Sequence, residues 1–251
     1  MVAAPSGRTY ACPMMQLAPP SPISRTCPER EIYNALLALD GKDILELGCG
    51  RAEITRAIAS EGTDRRITAL EVDEIQHRNH LAIDDLPNVR FVLAGAEAIP
   101  APDAAFDVVF MFKSLHHVPI GLMDKALAEV RRVLRPGGLA YISEPVFAGE
   151  FNEILRLFHD EEQVRRAAFE AITRAVDTGV LGLAQEIFFH SPMHFDDFAD
   201  FEAKILRVTH TDHQLSAELY DEVRRKFEDH LGPHGADFLM PIRVDLLHRA
   251  D

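Results

Sequence analysis

Basic residues are scarce in this chain: 26 lysines and arginines stand against 40 aspartates and glutamates, a formal net charge of −14 over 251 residues. A field of that sign repels phosphate backbones and anionic lipid at long range, so neither nucleic acid nor a membrane is an expected partner. Long apolar runs are missing too. No stretch approaches the roughly 18 residues of a membrane span, and none has signal-peptide length. The three cysteines, Cys12, Cys27 and Cys49, are too few for a disulfide framework and lack metal-ligand spacing. They fit a reducing cytoplasm. No internal repeat or low-complexity tract stands out. What remains, 47% hydrophobic and 26% charged, is the composition of a soluble globular protein able to bury a sizeable core.

Residues 1–28 read as an extended, flexible leader, because Pro5, Pro13, Pro19, Pro20, Pro22 and Pro28 remove donors and block helix. Met14 and Met15 offer later start sites. From Pro28 the pattern changes: "PEREIYNALLALDGK" is a helix begun by proline and stopped by Gly41. Short apolar strands then alternate with amphipathic helices through "DILEL", "RITALEV", "VRFVLA", "DVVFMF" and "GLAYIS". That alternation predicts a parallel sheet covered on both faces over residues 29–146. Beyond it the rhythm is lost. Residues 147–231 read mainly as helix, near 150–160, 161–178, 196–206 and 215–231, with an unusual density of phenylalanine. They are expected to form a cap over the ligand crevice or a homodimer interface. Residues 232–251, "ADFLMPIRVDLLHRA" within them, look like a terminal strand returning to the sheet.

The stretch "DILELGCGRAEIT" runs a strand into a glycine turn and a helix. In such sheets ligands bind at the carboxyl ends of strands, where strand order reverses. Gly48 and Gly50 let bare backbone approach a ligand. A nicotinamide site would need a third glycine at position 53. Glu53 stands there instead, at the helix start that would have to accept a pyrophosphate. Glu46, two residues before the first glycine, favours a ligand with a positive charge. Glu71 and Asp73 end the second strand, and a carboxylate there can accept both hydrogen bonds of a ribose diol. These features describe a nucleoside with a cationic tail and no phosphates.

At this point the sequence resembles the class I S-adenosylmethionine-dependent methyltransferases, in their small-molecule (type 11/25-like) subgroup. The resemblance covers about residues 30–145 and rests on four ordered blocks: "ILELGCGRAEIT", "ALEVD", "AEAIPAPDAAFDVVFMFKSLHHV" and "EVRRVLRPGGLAYISEP". It implies an α/β, Rossmann-like doubly wound, mostly parallel sheet with a helical C-terminal cap. It also implies S-adenosylmethionine as cofactor, S-adenosylhomocysteine as product and a small-molecule methyl acceptor as partner. Glu46, Gly48 and Gly50 would line the methionine end, and Glu71 would take the ribose hydroxyls. Ala96 and Glu97 would border the adenine, and Lys113 and Ser114 would approach the methionine moiety. Two departures stand out. The third glycine of the family's E-x-G-x-G-x-G is Ala52, and the aspartate usual before the Ala-Glu pair is Gly95.

The sulfonium is an activated donor, so the enzyme must chiefly align nucleophile, methyl and sulfur and exclude water. His116, His117 and Glu144 are the candidate groups for proton removal, with His190 and His194 further along, and each also has a packing role open to it. Lys113 is awkward beside a sulfonium: it either recognises an acidic acceptor or packs its stem and reaches a carboxylate. "FFHSPMHF" and "HTDH" (His210, His213) mimic metal spacing without a third and fourth ligand in sight, so no metal is expected. "FKSL" replaces the N/D-P-P-Y motif of nucleic-acid amino methylation. A protein or RNA methyltransferase, or a binding protein that keeps the cofactor fold without turnover, are the alternatives.

Overall fold

The computed structural model describes residues 15–208 and 215–249. Five strands run parallel: β1 (Asp43–Leu47), β2 (Arg66–Glu71), β3 (Val89–Leu93), β4 (Phe106–Phe112) and β5 (Leu134–Pro145). β1 and β4 lie mid-sheet and are buried along nearly their whole length. This is why they read as continuous apolar runs and not as alternating ones. The sheet order is β3-β2-β1-β4-β5-β7-β6, in which β7 (Ala236–Arg249) runs antiparallel to both its neighbours, β5 and β6 (Leu181–Phe195). Successive crossovers carry the chain outward from β1 to β3 and then back to β4, so the strand order reverses between β1 and β4. The opening motif ends β1 and Lys113 follows β4, which puts both at that crevice.

Helices cover both faces. α4 (Met123–Val133) buries Met123, Ala126, Leu127, Val130 and Val133, spaced by three and four residues as one helical stripe requires. With Ala168, Ala171 and Ile172 of α6 (Glu162–Asp177) they pack on Leu45, Val109, Met111, Ala140 and Ile142. On the other face Ile32 and Tyr33 of α1 (Glu29–Leu36) and Ile58 of α2 (Glu53–Ser60) meet Ile44, Phe110 and Tyr141. α3 (Glu74–His80) is capped by the Asp73 side chain, which accepts from the Ile75 and Gln76 backbone.

The region expected to be mainly helical is mixed. Helices do occur there: α5 (Glu150–Leu155), α6, α7 (Phe198–Phe201, continued as π-helix to Leu206) and α8 (Ala217–Glu228). Between them, however, Leu181–Phe195 forms the sheet's edge strand, β6. Two features hide it in the sequence. A register shift between Leu183 and Gln185 breaks the period of two, and Pro192 is tolerated because the strand is an edge. Phe151, Phe195, Phe198, Phe201, Phe227 and Phe238 gather into a third apolar core joining α5, α7 and α8 to β6 and β7. The leader stretch is tied down where it is described: Cys27 N donates to His190 O at 3.1 Å and His190 N to Arg25 O at 2.8 Å.

Candidate active site

The turn after β1 places three residues in the left-handed region: Gly48 (φ +74°), Gly50 (+52°) and Ala52 (+62°). It is stitched to the end of β2. Gly48 N and Cys49 N donate to Leu70 O at 2.9 and 3.0 Å, and Gly50 N donates to Glu71 Oε2 at 2.7 Å. Glu71 Oε1 accepts from Val72 N and Asp73 N. Three backbone donors thus fix the Glu71 carboxylate: two fill Oε1, and Oε2 keeps a lone pair for a further donor. His80, stacked on Phe91, shares a 2.7 Å hydrogen bond with Gly50 O and anchors the turn from α3. Cys49 between the glycines is buried, and burial followed by the Glu46 and Glu71 charges pushes its thiol far up. It is a neutral packing group.

Ala52 bears the family's missing glycine in its geometry. An L-residue in this conformation costs about 1–2 kcal/mol, and glycine would relieve that while giving back about 0.4–1 kcal/mol of chain entropy. Ala52→Gly is therefore expected to stabilise the protein by roughly 0.5–1 kcal/mol, read as an increased midpoint in urea unfolding.

Glu46 ends β1 with its carboxylate buried; Thr55 Oγ1 of α2 donates to it at 2.7 Å. Burial, and after it the Glu71 charge, raises the Glu46 carboxyl to about 7, although Thr55 and Lys113 pull the other way. Two acidic side chains facing one turn make a site tuned to a cation. Ser114 closes it from β4, its Oγ donating to Leu47 O at 2.7 Å. Lys113 adopts φ +53°, and its Nζ lies 2.5 Å from Glu29 Oε2 at the start of α1. Of the two readings the sequence left open for Lys113, this is the carboxylate-bound one. On the far side of the crevice Ala96 is buried and Glu97 half-buried. A Cβ on Gly95 would stand 2.3 Å from Glu97 Oε2, so the Glu97 carboxylate fills the space a side chain at 95 would use.

His116 and His117 follow β4 in a single 3₁₀ turn, His116 buried and His117 exposed, with ring centroids 4.1 Å apart. Glu144, near the end of β5, accepts from Leu115 N at 2.9 Å and pairs with His116 Nδ1. On the other side His116 Nε2 lies 3.5 Å from Glu161 Oε1, which precedes α6. Burial alone would depress the imidazolium, but Glu144 and then Glu161 overcome it and hold His116 at about 9. Glu144 is held below its usual range by His116, against the effect of burial. Arg165 donates to Glu161 Oε2 from Nη2 at 2.5 Å and from Nε at 3.1 Å. The structure thus brings His116, His117 and Glu144 together. His190 and His194 go elsewhere: His190 backs onto the leader, and His194 pairs with Asp196 and Asp237. Four residues apart on a helix they would be neighbours; on a strand they are separated by about 13 Å. His210 and His213 lie outside the described residues. Sequence reasoning missed Glu29, Thr55, His80, Glu161 and Arg165. Only Glu29 carried a signal, as an early helical glutamate, and that signal spoke of helix capping.

A parallel sheet whose strand order reverses beside a carboxylate-lined glycine turn, with an antiparallel strand inserted next to β5, defines the class I methyltransferase fold. Residues 44–138 match the family described as a methyltransferase domain. Over this stretch the chain is similar to S-adenosylmethionine-dependent methyltransferases. It is 37% identical over 106 residues to 27-O-demethylrifamycin SV methyltransferase of Amycolatopsis mediterranei, covering 39% of this chain and 36% of that one. It is 34% identical over 128 residues to the ubiquinone/menaquinone biosynthesis C-methyltransferase of Hahella chejuensis, covering 48% and 49%. The chain thus spans half or less of the length of these two relatives. The crystal structure of a [4+2]-cyclase, SpnF, shares the fold at a TM-score of 0.55 and 18% identity, over 88% of this chain and 79% of that one. Among the described residues no helix is long and apolar enough to cross a membrane.

Proposed function

We propose that this protein transfers the methyl group of S-adenosylmethionine to a small-molecule acceptor. The observation that carries the reading is the pair Glu46 and Glu71 set on one glycine turn at the reversal point of the sheet. Glu71 accepts a ribose hydroxyl through Oε2 and Glu46 faces the methionine ammonium. Glu97, folded over Gly95, supplies the acidic contact to the adenine amino group that the usual aspartate would give. The acceptor's lone pair attacks the methyl carbon in line with the breaking C–S bond. S-adenosylhomocysteine leaves, and an acceptor proton, where there is one, passes to solvent or a base. His116, positively charged and flanked by two carboxylates, does not take that proton; it positions the loop after β4. The two named methyltransferase relatives support a small, largely apolar acceptor, and the acidic surface speaks against RNA.

Incubation with methyl-labelled cofactor and a small-metabolite extract tests this. Transfer of label into small organic products is expected. Label confined to protein or RNA, or cofactor binding without transfer to any extract, overturns the acceptor assignment. The Glu46 role has its own signature. Only the ionised carboxylate pairs with an ammonium, and this one titrates near 7 in the free protein. Cofactor affinity is therefore expected to level off above pH 7 and to fall about tenfold for each unit below it. Glu46→Gln is expected to remove that slope in a calorimetric pH series.

A further inference from the structure

We propose that His116, His117 and Glu161 bind a zinc-class divalent metal ion beside the methyl-transfer crevice. Among the described residues these three are the one group whose ligand atoms converge, all lying within 4.8 Å of one another. His116 Nε2 stands 3.5 Å from Glu161 Oε1, an oxygen that His159 Nε2 also approaches, at 3.0 Å, from outside the group. A tetrahedral ion with bonds of about 2.0–2.1 Å sets its ligand atoms roughly 3.3 Å apart, so the spacing of His116 and Glu161 suits one ion between them.

The surroundings orient the ligands. Glu144 holds His116 through Nδ1, which fixes the tautomer and presents Nε2, the arrangement a metal-binding histidine needs from its neighbours. Arg165 occupies Glu161 Oε2 and leaves Oε1 facing the histidines. His116 and Glu161 are buried, whereas His117 is exposed and gives an ion its entry. Imidazoles with one carboxylate favour zinc and its first-row neighbours over magnesium or calcium. As the bond to Nε2 forms, the proton there passes to solvent. His116 follows Ser114 by two residues in the chain, and an ion held there would supply a Lewis acid for an acceptor oxygen.

The test uses the full chain, stripped of metal and free of cofactor, so that its outcome does not depend on the methyl-transfer reading. Calorimetry with Zn²⁺ and visible spectroscopy with Co²⁺ are expected to show one equivalent bound, with ligand-field bands marking nitrogen ligation. His117→Ala, at an exposed ring, is expected to weaken Zn²⁺ binding about tenfold to hundredfold. Glu161→Gln should do at least as much, with circular dichroism reporting whether that buried substitution folds. His194→Ala, a histidine outside the cluster, is expected to bind as the wild type does. Absence of saturable binding up to millimolar metal, or unchanged binding in His117→Ala, overturns the proposal.

Discussion

Gly48→Ala is expected to weaken S-adenosylhomocysteine binding by about a hundredfold or more, whereas Gly50→Ala costs only about tenfold. Both glycines adopt positive φ, so both substitutions carry the left-handed penalty of about 1–2 kcal/mol. Their surroundings differ. A Cβ at Gly48 would meet Ser114 Cβ at 2.8 Å, closer than real Cβ atoms come, while one at Gly50 meets nothing within 4 Å. Relieving the Gly48 clash means moving either the turn or the end of β4. Ser114 is itself pinned to Leu47 O, so overpacking adds about 1–3 kcal/mol. At about 1.4 kcal/mol per tenfold, the sum separates the two variants by roughly an order of magnitude or more. Calorimetric titration of both variants checks it. Equal losses would mean that the close approach of β1 and β4 does not shape the cofactor site.

Glu144→Ala is expected to destabilise the fold by about 3–5 kcal/mol, the usual cost of removing one partner of a buried ion pair. The carboxylate is buried, and its loss leaves His116 with Glu161 alone and Leu115 N without its acceptor. For a domain of this size that corresponds to a fall of about 6–20 °C in Tm. The pH dependence carries a second signature. His116 is raised from 6.5 to about 9, so its contribution is complete below pH 6.5 and lost as pH rises through 9. Glu144 is lowered, so its contribution is present above the ordinary carboxylate range and lost as pH falls. Metal-free wild-type protein should lose stability between pH 6.5 and 9 more steeply than Glu144→Ala. Thermal unfolding across that range measures the difference; parallel curves would remove His116 as the linked group.

The alternation of helix and strand over residues 29–145 was readable because its signals are local. Apolar runs such as "DILEL" sit in the middle of a parallel sheet, and the α4 stripe repeats at helical spacing. β6 was not readable. As an edge strand with a register shift and a proline, it has neither alternation nor a continuous apolar run. The backbone of the turn was legible at Gly48 and Gly50, whose residue type suits positive φ, whereas Ala52 adopts the same conformation without announcing it. The partners of the histidines were not. Glu161 reads as a surface residue at a helix start, and only the packing of α6 against the loop after β4 brings it to His116. Lys113 shows the same limit. Its charge suggested an acidic acceptor, and the fold supplies Glu29 from a helix far away in sequence. Fold likeness has its own boundary, as the shared architecture of a [4+2]-cyclase illustrates.

We propose that this turn and Glu71 hold S-adenosylmethionine. Isothermal titration of wild type and Glu71→Ala with S-adenosylhomocysteine tests it most directly. The wild type is expected to bind one equivalent. The variant, losing a hydrogen bond to a charged group worth about 1.5–3 kcal/mol, is expected to bind about tenfold to hundredfold more weakly. Circular dichroism should show it still folded. A wild type that does not bind, or a folded variant that binds equally well, would contradict the account.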